Sequence, residues 1–152
     1  MKTDYWYCDV CKEKIVKPDD GWLQWIEFDV SEGQRAGRDL QLVHHRPASS
    51  RSEGCQFKQK LEYSHDRGIV NDGVLTHYLG DNGLTLLLML IAEGRLPSKD
   101  VVTMIQRLHT PGYEEARLHI DQAIEDGVLE PNLLSGFYWQ RDLEDIVRKY
   151  AS

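Results

Sequence analysis

The spacing of apolar positions changes character along the chain, and the change predicts two kinds of structure. From Tyr5 to His45 apolar residues come in short bursts or alternate with polar ones, as in strands. Tyr5-Trp6-Tyr7 leads into a tight turn through Cys8-Asp9-Val10-Cys11 and a second short strand near Lys14-Ile15-Val16. Pro18-Asp19-Asp20-Gly21 marks a turn. Trp22–Phe28 and Leu40–His45 read as partner strands, joined by a polar hairpin loop over Ser31–Gly37. Trp22 and Trp25 are three apart and fall on opposite faces, so one is expected in the core and the other exposed to a partner. Residues 46–60, with Pro47, Ser49, Ser50, Ser52 and Gly54, read as a loop reaching Cys55.

After Asn71 the period becomes helical. Leu84, Leu87, Leu88 and Ile91 mark one face of a helix, and Leu86, Met89 and Leu90 make it apolar nearly all round, the pattern of a central helix. Gly94 ends it. Ser98 is a candidate N-cap for a helix carrying Val101, Val102, Ile105 and Leu108. Thr110-Pro111 opens a third helix that closes at Gly127, and Leu143, Ile146, Val147 and Tyr150 define a last one. The expected fold class is α+β, with a β-rich module over residues 1–70, a helical part over 71–152, and a join near Arg67–Gly73.

Composition narrows the class. The 152 residues are 41% apolar and 28% charged, a globular mix able to bury a core without disulfide staples. The longest apolar run, Leu84–Ala92, falls short of the roughly 20 residues of a membrane span, so no membrane role is expected. Met1–Trp6 lacks the apolar stretch of a secretion signal, which makes the cytoplasm the expected location. The net charge of −7 is uneven: residues 1–70 hold 11 Lys/Arg against 12 Asp/Glu, and residues 71–152 hold 7 against 13. Phosphate repels such a chain, so nucleic acid is a disfavoured partner.

The three cysteines carry the most specific chemistry. Cys8 and Cys11 form a C-x2-C, which presents two thiolates from one tight turn, as structural zinc sites require. His44, His45 and Cys55 follow at a distance that a hairpin would fold back onto the first pair. The expected site is a structural Zn2+ held by Cys8, Cys11, Cys55 and one histidine. His45 is preferred because it lies nearer the Cys55 loop, with His44 as the alternative; alternation puts Leu40, Leu42 and His44 on one face and Val43 and His45 on the other.

On these residues the segment 5–58 resembles small zinc-ribbon or treble-clef-like knuckle domains, without a second C-x2-C. The order of three helices, a glycine stop, Val128-Leu129-Glu130, a turn and Phe137-Tyr138-Trp139-Gln140 makes residues 83–141 similar to a winged helix, beside the plain reading of a helical bundle. That resemblance implies DNA reading by the third helix. Segment 111–130, however, carries Glu114, Glu115, Asp121, Glu125, Asp126 and Glu130 against Arg117 alone. His44-His45-x-Pro47 with His65 faintly resembles an HNH nuclease core, lacking its Asn. The functional expectation is a non-catalytic zinc-binding protein whose partner is another protein. The alternatives are a nucleic-acid-binding regulator and, behind it, an HNH-like nuclease.

Overall fold

The computed structural model describes residues 2–131 and 135–151 and has an α+β architecture. β1 (Trp6–Tyr7) and β2 (Lys14–Ile15) pair antiparallel around the cysteine turn, Trp6 opposite Ile15. A second antiparallel sheet has the order β4-β3-β5, from β3 (Gly21–Ser31), β4 (Gln34–His44) and β5 (Ile69–Val74). The expected loop over 31–37 is mostly strand. β3 and β4 run to a two-residue turn at Glu32-Gly33, which Gly33 permits by taking φ +76°.

β3 lies between two strands and is covered on both faces, so Leu23 to Glu27 are buried without alternation. On one face sit helices. On the other, the chain between α1 (Gln59–Asp66) and β5 presses Gly68 onto Ile26, where a Cβ would come within 2.5 Å of the Ile26 side chain. Arg38 of β4 fastens α1, with Nη2 donating to Glu62 at 2.8 Å and Nε to Asp66 at 3.1 Å. A register shift between Gln24 and Ile26 bends β3 beside Trp25. This corrects the expectation for the tryptophans. Trp25 is buried, its Nε1 donating to Glu27 at 3.2 Å, and Trp22 is half-buried against the same core.

α2 (Gly80–Glu93) ends at Gly94, which is left-handed at φ +70°. It is not a central helix. Gly83 and Leu87 are buried, while Leu86, Leu88 and Met89 are 39%, 51% and 50% exposed. The helix packs on α3 (Ser98–His109) and on the 3-10 turn Leu75–Tyr78 along one side only. α3 buries Val101, Met104, Arg107 and Leu108.

The expected third helix is broken into α4 (Tyr113–Ala116), a 3-10 turn and α5 (Ile120–Glu125); α6 (Gln140–Tyr150) follows. No strand occurs after Val74 among the described residues, so the wing hairpin is not formed there; residues 132–134 of the expected turn lie outside them. The amides of Val128 and Leu129 turn back onto the Ala123 carbonyl at 2.9 and 3.1 Å. They cap α5 and do not enter a ladder, and Leu129 is buried.

Two cores result. The larger joins Trp6, Cys8, Ile15, Leu23, Leu42 and Cys55 to Leu75, Leu87, Leu96, Val101, Met104 and Leu108. The smaller comprises Tyr113, Ala116, Ala123, Leu129, Leu143 and Ile146. The expected join at 67–73 falls on β5, which is hydrogen-bonded into the sheet, whereas the packing divides near 110–112.

Candidate metal centre

Three segments converge beside the larger core, which takes in Cys8 and Cys55. The β1–β2 turn closes through Cys8 N donating to Glu13 O at 3.0 Å and Lys12 N donating to Cys8 O at 3.0 Å, with Lys12 left-handed at φ +68°. Asp9 locks this turn to β4. Its N–H donates to Leu42 O at 2.8 Å, and its Oδ2 accepts from Leu42 N at 2.7 Å. Two residues along the same face of β4 stands His44. The loop after β4 returns Cys55, which is steadied by Gln24. That buried amide donates to Cys55 O at 3.4 Å and accepts from Phe57 N at 2.8 Å.

The ligand atoms of Cys8, Cys11, His44 and Cys55 all lie within 4.8 Å of one another, with Cys11 Sγ 3.3 Å from His44 Nδ1. Cys8, His44 and Cys55 are buried, Cys11 is half-buried, and all three thiols are free. His44 Nε2 lies 3.0 Å from Lys14 O. A ring that donates from Nε2 to this carbonyl leaves the Nδ1 lone pair facing the sulfurs, the outer-shell bond that orients metal-bound histidines. Tetrahedral thiolate–imidazole coordination holds neighbouring donors roughly 3.5–3.8 Å apart. The donor separations, from 3.3 Å for Cys11–His44 to at most 4.8 Å, bracket that range, so small shifts reach it and the residues fit a metal ion of tetrahedral preference.

The turn also prepares one thiolate. Burial raises the Cys8 thiol, but the N–H groups of Cys11, Val10 and His44 and the His44 ring outweigh it, bringing its pKa down to about 7. Cys11 is pushed up to about 11, chiefly by burial, with the neighbouring Cys8 and Cys55 adding to the rise. With a cation held by these residues, its charge would favour ionisation of all three thiols.

His44, and not His45, joins the cysteines. The His45 ring instead stands 5.1 Å from Trp22, and the backbone N–H of His45 donates to Asp20 O at 2.7 Å. The pleat decides this: His44 shares the face of Leu42, which the knuckle covers, and His45 takes the other. His65 is exposed on α1 and belongs to no metal-competent group among the described residues.

A buried ionic chain beside the centre has no counterpart in the sequence expectations. Arg107 of α3 donates from Nη1 to both Asp9 carboxylate oxygens at 3.0 and 2.8 Å, and from Nη2 to Tyr7 O at 2.9 Å. Its Nε reaches both Glu114 oxygens at 2.9 Å. Glu114, 1% exposed, also pairs with Arg117. Burial pushes the Glu114 carboxyl up, against the pull of Arg107 and Arg117. Burial works against the charge of Arg107 too, but Glu114 and Asp9 outweigh it and hold its pKa above the ordinary value. Next to this chain, Tyr7 Oη donates to Glu115 at 2.6 Å.

Compared with protein-family models, curated proteins and solved structures, the chain matches none.

Proposed function

We propose that this protein is a zinc-bearing interaction module: one Zn2+ on Cys8, Cys11, His44 and Cys55 stiffens the knuckle, and the partner is another protein. Three thiolates and an imidazole favour zinc over harder cations. Four protein donors leave no open position for a substrate or an activated water, so the metal is structural in this reading.

The observation that carries the binding half is the outer face of α2. Leu86, Leu88 and Met89 stand in solvent on a helix whose opposite face is buried, with Thr85 and Ala92 completing the stripe. Residues 69–94 contain Asp72, Asp81 and Glu93 and no Lys or Arg. An apolar ridge with acidic ends fits an apolar protein surface with a basic rim, such as an amphipathic helix flanked by lysines. The same charge weighs against anionic lipid and nucleic acid.

Two measurements test the reading. Elemental analysis of protein purified without chelators is expected to give about one zinc per chain; no metal refutes the first half. A synthetic Leu/Lys amphipathic helix is expected to bind in a titration, and its Leu/Glu counterpart is not. Leu88→Glu is expected to abolish the binding without lowering thermal stability. Equal binding by Leu88→Glu and the unaltered protein refutes the second half.

A further inference from the structure

We infer that the chain Asp9–Arg107–Glu114 couples metal at the Cys8/Cys11/His44/Cys55 cluster to the packing of the C-terminal helical unit, α4 to α6 around Tyr113, Ala116, Ala123, Leu143 and Ile146. This rests on reading the cluster as a metal centre. Arg107 is the buried ionic contact between the two, beside the Tyr7–Glu115 hydrogen bond. Arg107 is 5% exposed, and its guanidinium is held by one carboxylate from each side. Asp9 lies inside the C-x2-C turn, between ligands. Glu114 lies on α4, whose Tyr113 and Ala116 belong to the smaller core.

Without metal the turn is weakly specified. Two-residue strands and a few backbone bonds are less than such a ribbon needs to hold its shape alone, and its side-chain tie to β4, from Leu42 N to Asp9, uses the same carboxylate that Arg107 holds. Metal fixes Cys8 and Cys11 and with them the Asp9 carboxylate between. When the turn relaxes, Arg107 loses one of two buried counter-charges and its bond to Tyr7 O. A buried guanidinium left half-paired destabilises its surroundings, and Glu114 is its remaining partner. α4 is therefore anchored best when the metal is bound. Linkage makes the effect reciprocal: whatever metal does for α4, α4 does for metal affinity.

The test uses the full-length protein, zinc-loaded and stripped. Hydrogen exchange needs no variant: stripping is expected to speed exchange across Tyr113–Ala116 and Ile120–Glu125. Zinc affinity, read by competition with a chromophoric chelator, is expected to fall about tenfold in Glu114→Gln, within the 5–150-fold range usual for coupled sites. Asp9→Asn, which keeps an acceptor for Leu42 N, is expected to weaken zinc similarly. Tyr150→Phe removes the Tyr150 bond to Asp126 elsewhere in the same unit. It is expected to leave zinc affinity unchanged, which separates coupling from general loosening. Unchanged affinity in both Glu114→Gln and Asp9→Asn, or exchange over 113–125 indifferent to stripping, overturns the coupling and leaves the metal reading standing. A protein that takes up no zinc overturns both.

Discussion

At the scale of single residues, the histidine pair separates geometry from proximity in sequence. His44 and His45 are neighbours, yet the pleat of β4 sends one ring to the thiols and the other to Trp22. His44→Ala is expected to remove a ligand and lower zinc affinity by well over tenfold, whereas His45→Ala keeps one zinc per chain; the same chelator competition decides. The period-two alternation already placed His44 with Leu42. What the sequence could not supply was that Asp9 binds Leu42 on both its N–H and its C=O, which turns that face toward the knuckle. A second residue-scale effect is pH-dependent. Burial raises Glu115, but hydrogen bonds from Tyr7, His119 and Tyr5 outweigh it and hold its carboxyl below the ordinary glutamate range. A depressed carboxyl contributes stability that is present above its unfolded pKa and disappears as pH falls through the folded one. Glu115→Gln is therefore expected to cost about 1 kcal/mol at pH 7. The gap between variant and parent, followed by denaturant melts, is expected to close toward pH 3.

At the scale of elements, α2 shows how an apolar pattern can mislead. Seven large apolar residues in one turn-rich stretch read as a helix needing neighbours all round, but only one side has them. Amphipathicity reports burial when the outward face is polar; here the outward face is apolar as well, and the sequence gives no sign of which side is covered. The covered side is set by Gly83, where a Cβ would lie 2.1 Å from the Tyr78 carbonyl carbon. Backbone at that distance cannot yield as a side chain does. Gly83→Ala is expected to destabilise by about 3 kcal/mol through overpacking, although alanine is the better helix former. Leu88→Ala, on the open side, is expected to stay within about 0.5 kcal/mol. Urea melts of the two variants compare both faces of one helix; equal losses would mean that α2 is covered on both sides. Strand order followed the same logic. The pairing of β3 with β4 was legible because the two stretches are neighbours in the chain, although the expected loop over Ser31–Gly37 shrinks to a turn at Glu32-Gly33. α1 and β5 were not, since β5 takes its place by pairing with β3, some 45 residues upstream, and its own stretch Ile69–Val74 is interrupted by Asn71, Asp72 and Gly73.

At the scale of the whole molecule, a β-rich half and a helical half do not share out the core. The alternation ends and helical spacing begins near residue 70, but the larger core takes side chains from both sides of that point, and Cys8 and Cys55 are part of it. A metal held by those two thiols is thus bonded to residues packed with Leu75, Leu87, Val101 and Met104. Ligand that binds only the folded state stabilises by RT ln(1 + [L]/Kd), about 4 kcal/mol when free zinc exceeds the dissociation constant a thousandfold. For a chain of this length that corresponds to a fall in melting temperature on the order of 10 °C when the metal is stripped. If the knuckle were an appendage, chelation would remove its strands and leave the helices melting where they did before. Because the core is shared, far-UV helical signal and the fluorescence of the buried tryptophans Trp6 and Trp25 are expected to be lost together, at the lowered temperature. Two separated transitions, with the helical one unmoved by chelation, would show that the packing between the sheet and α2–α3 does not transmit the metal's contribution.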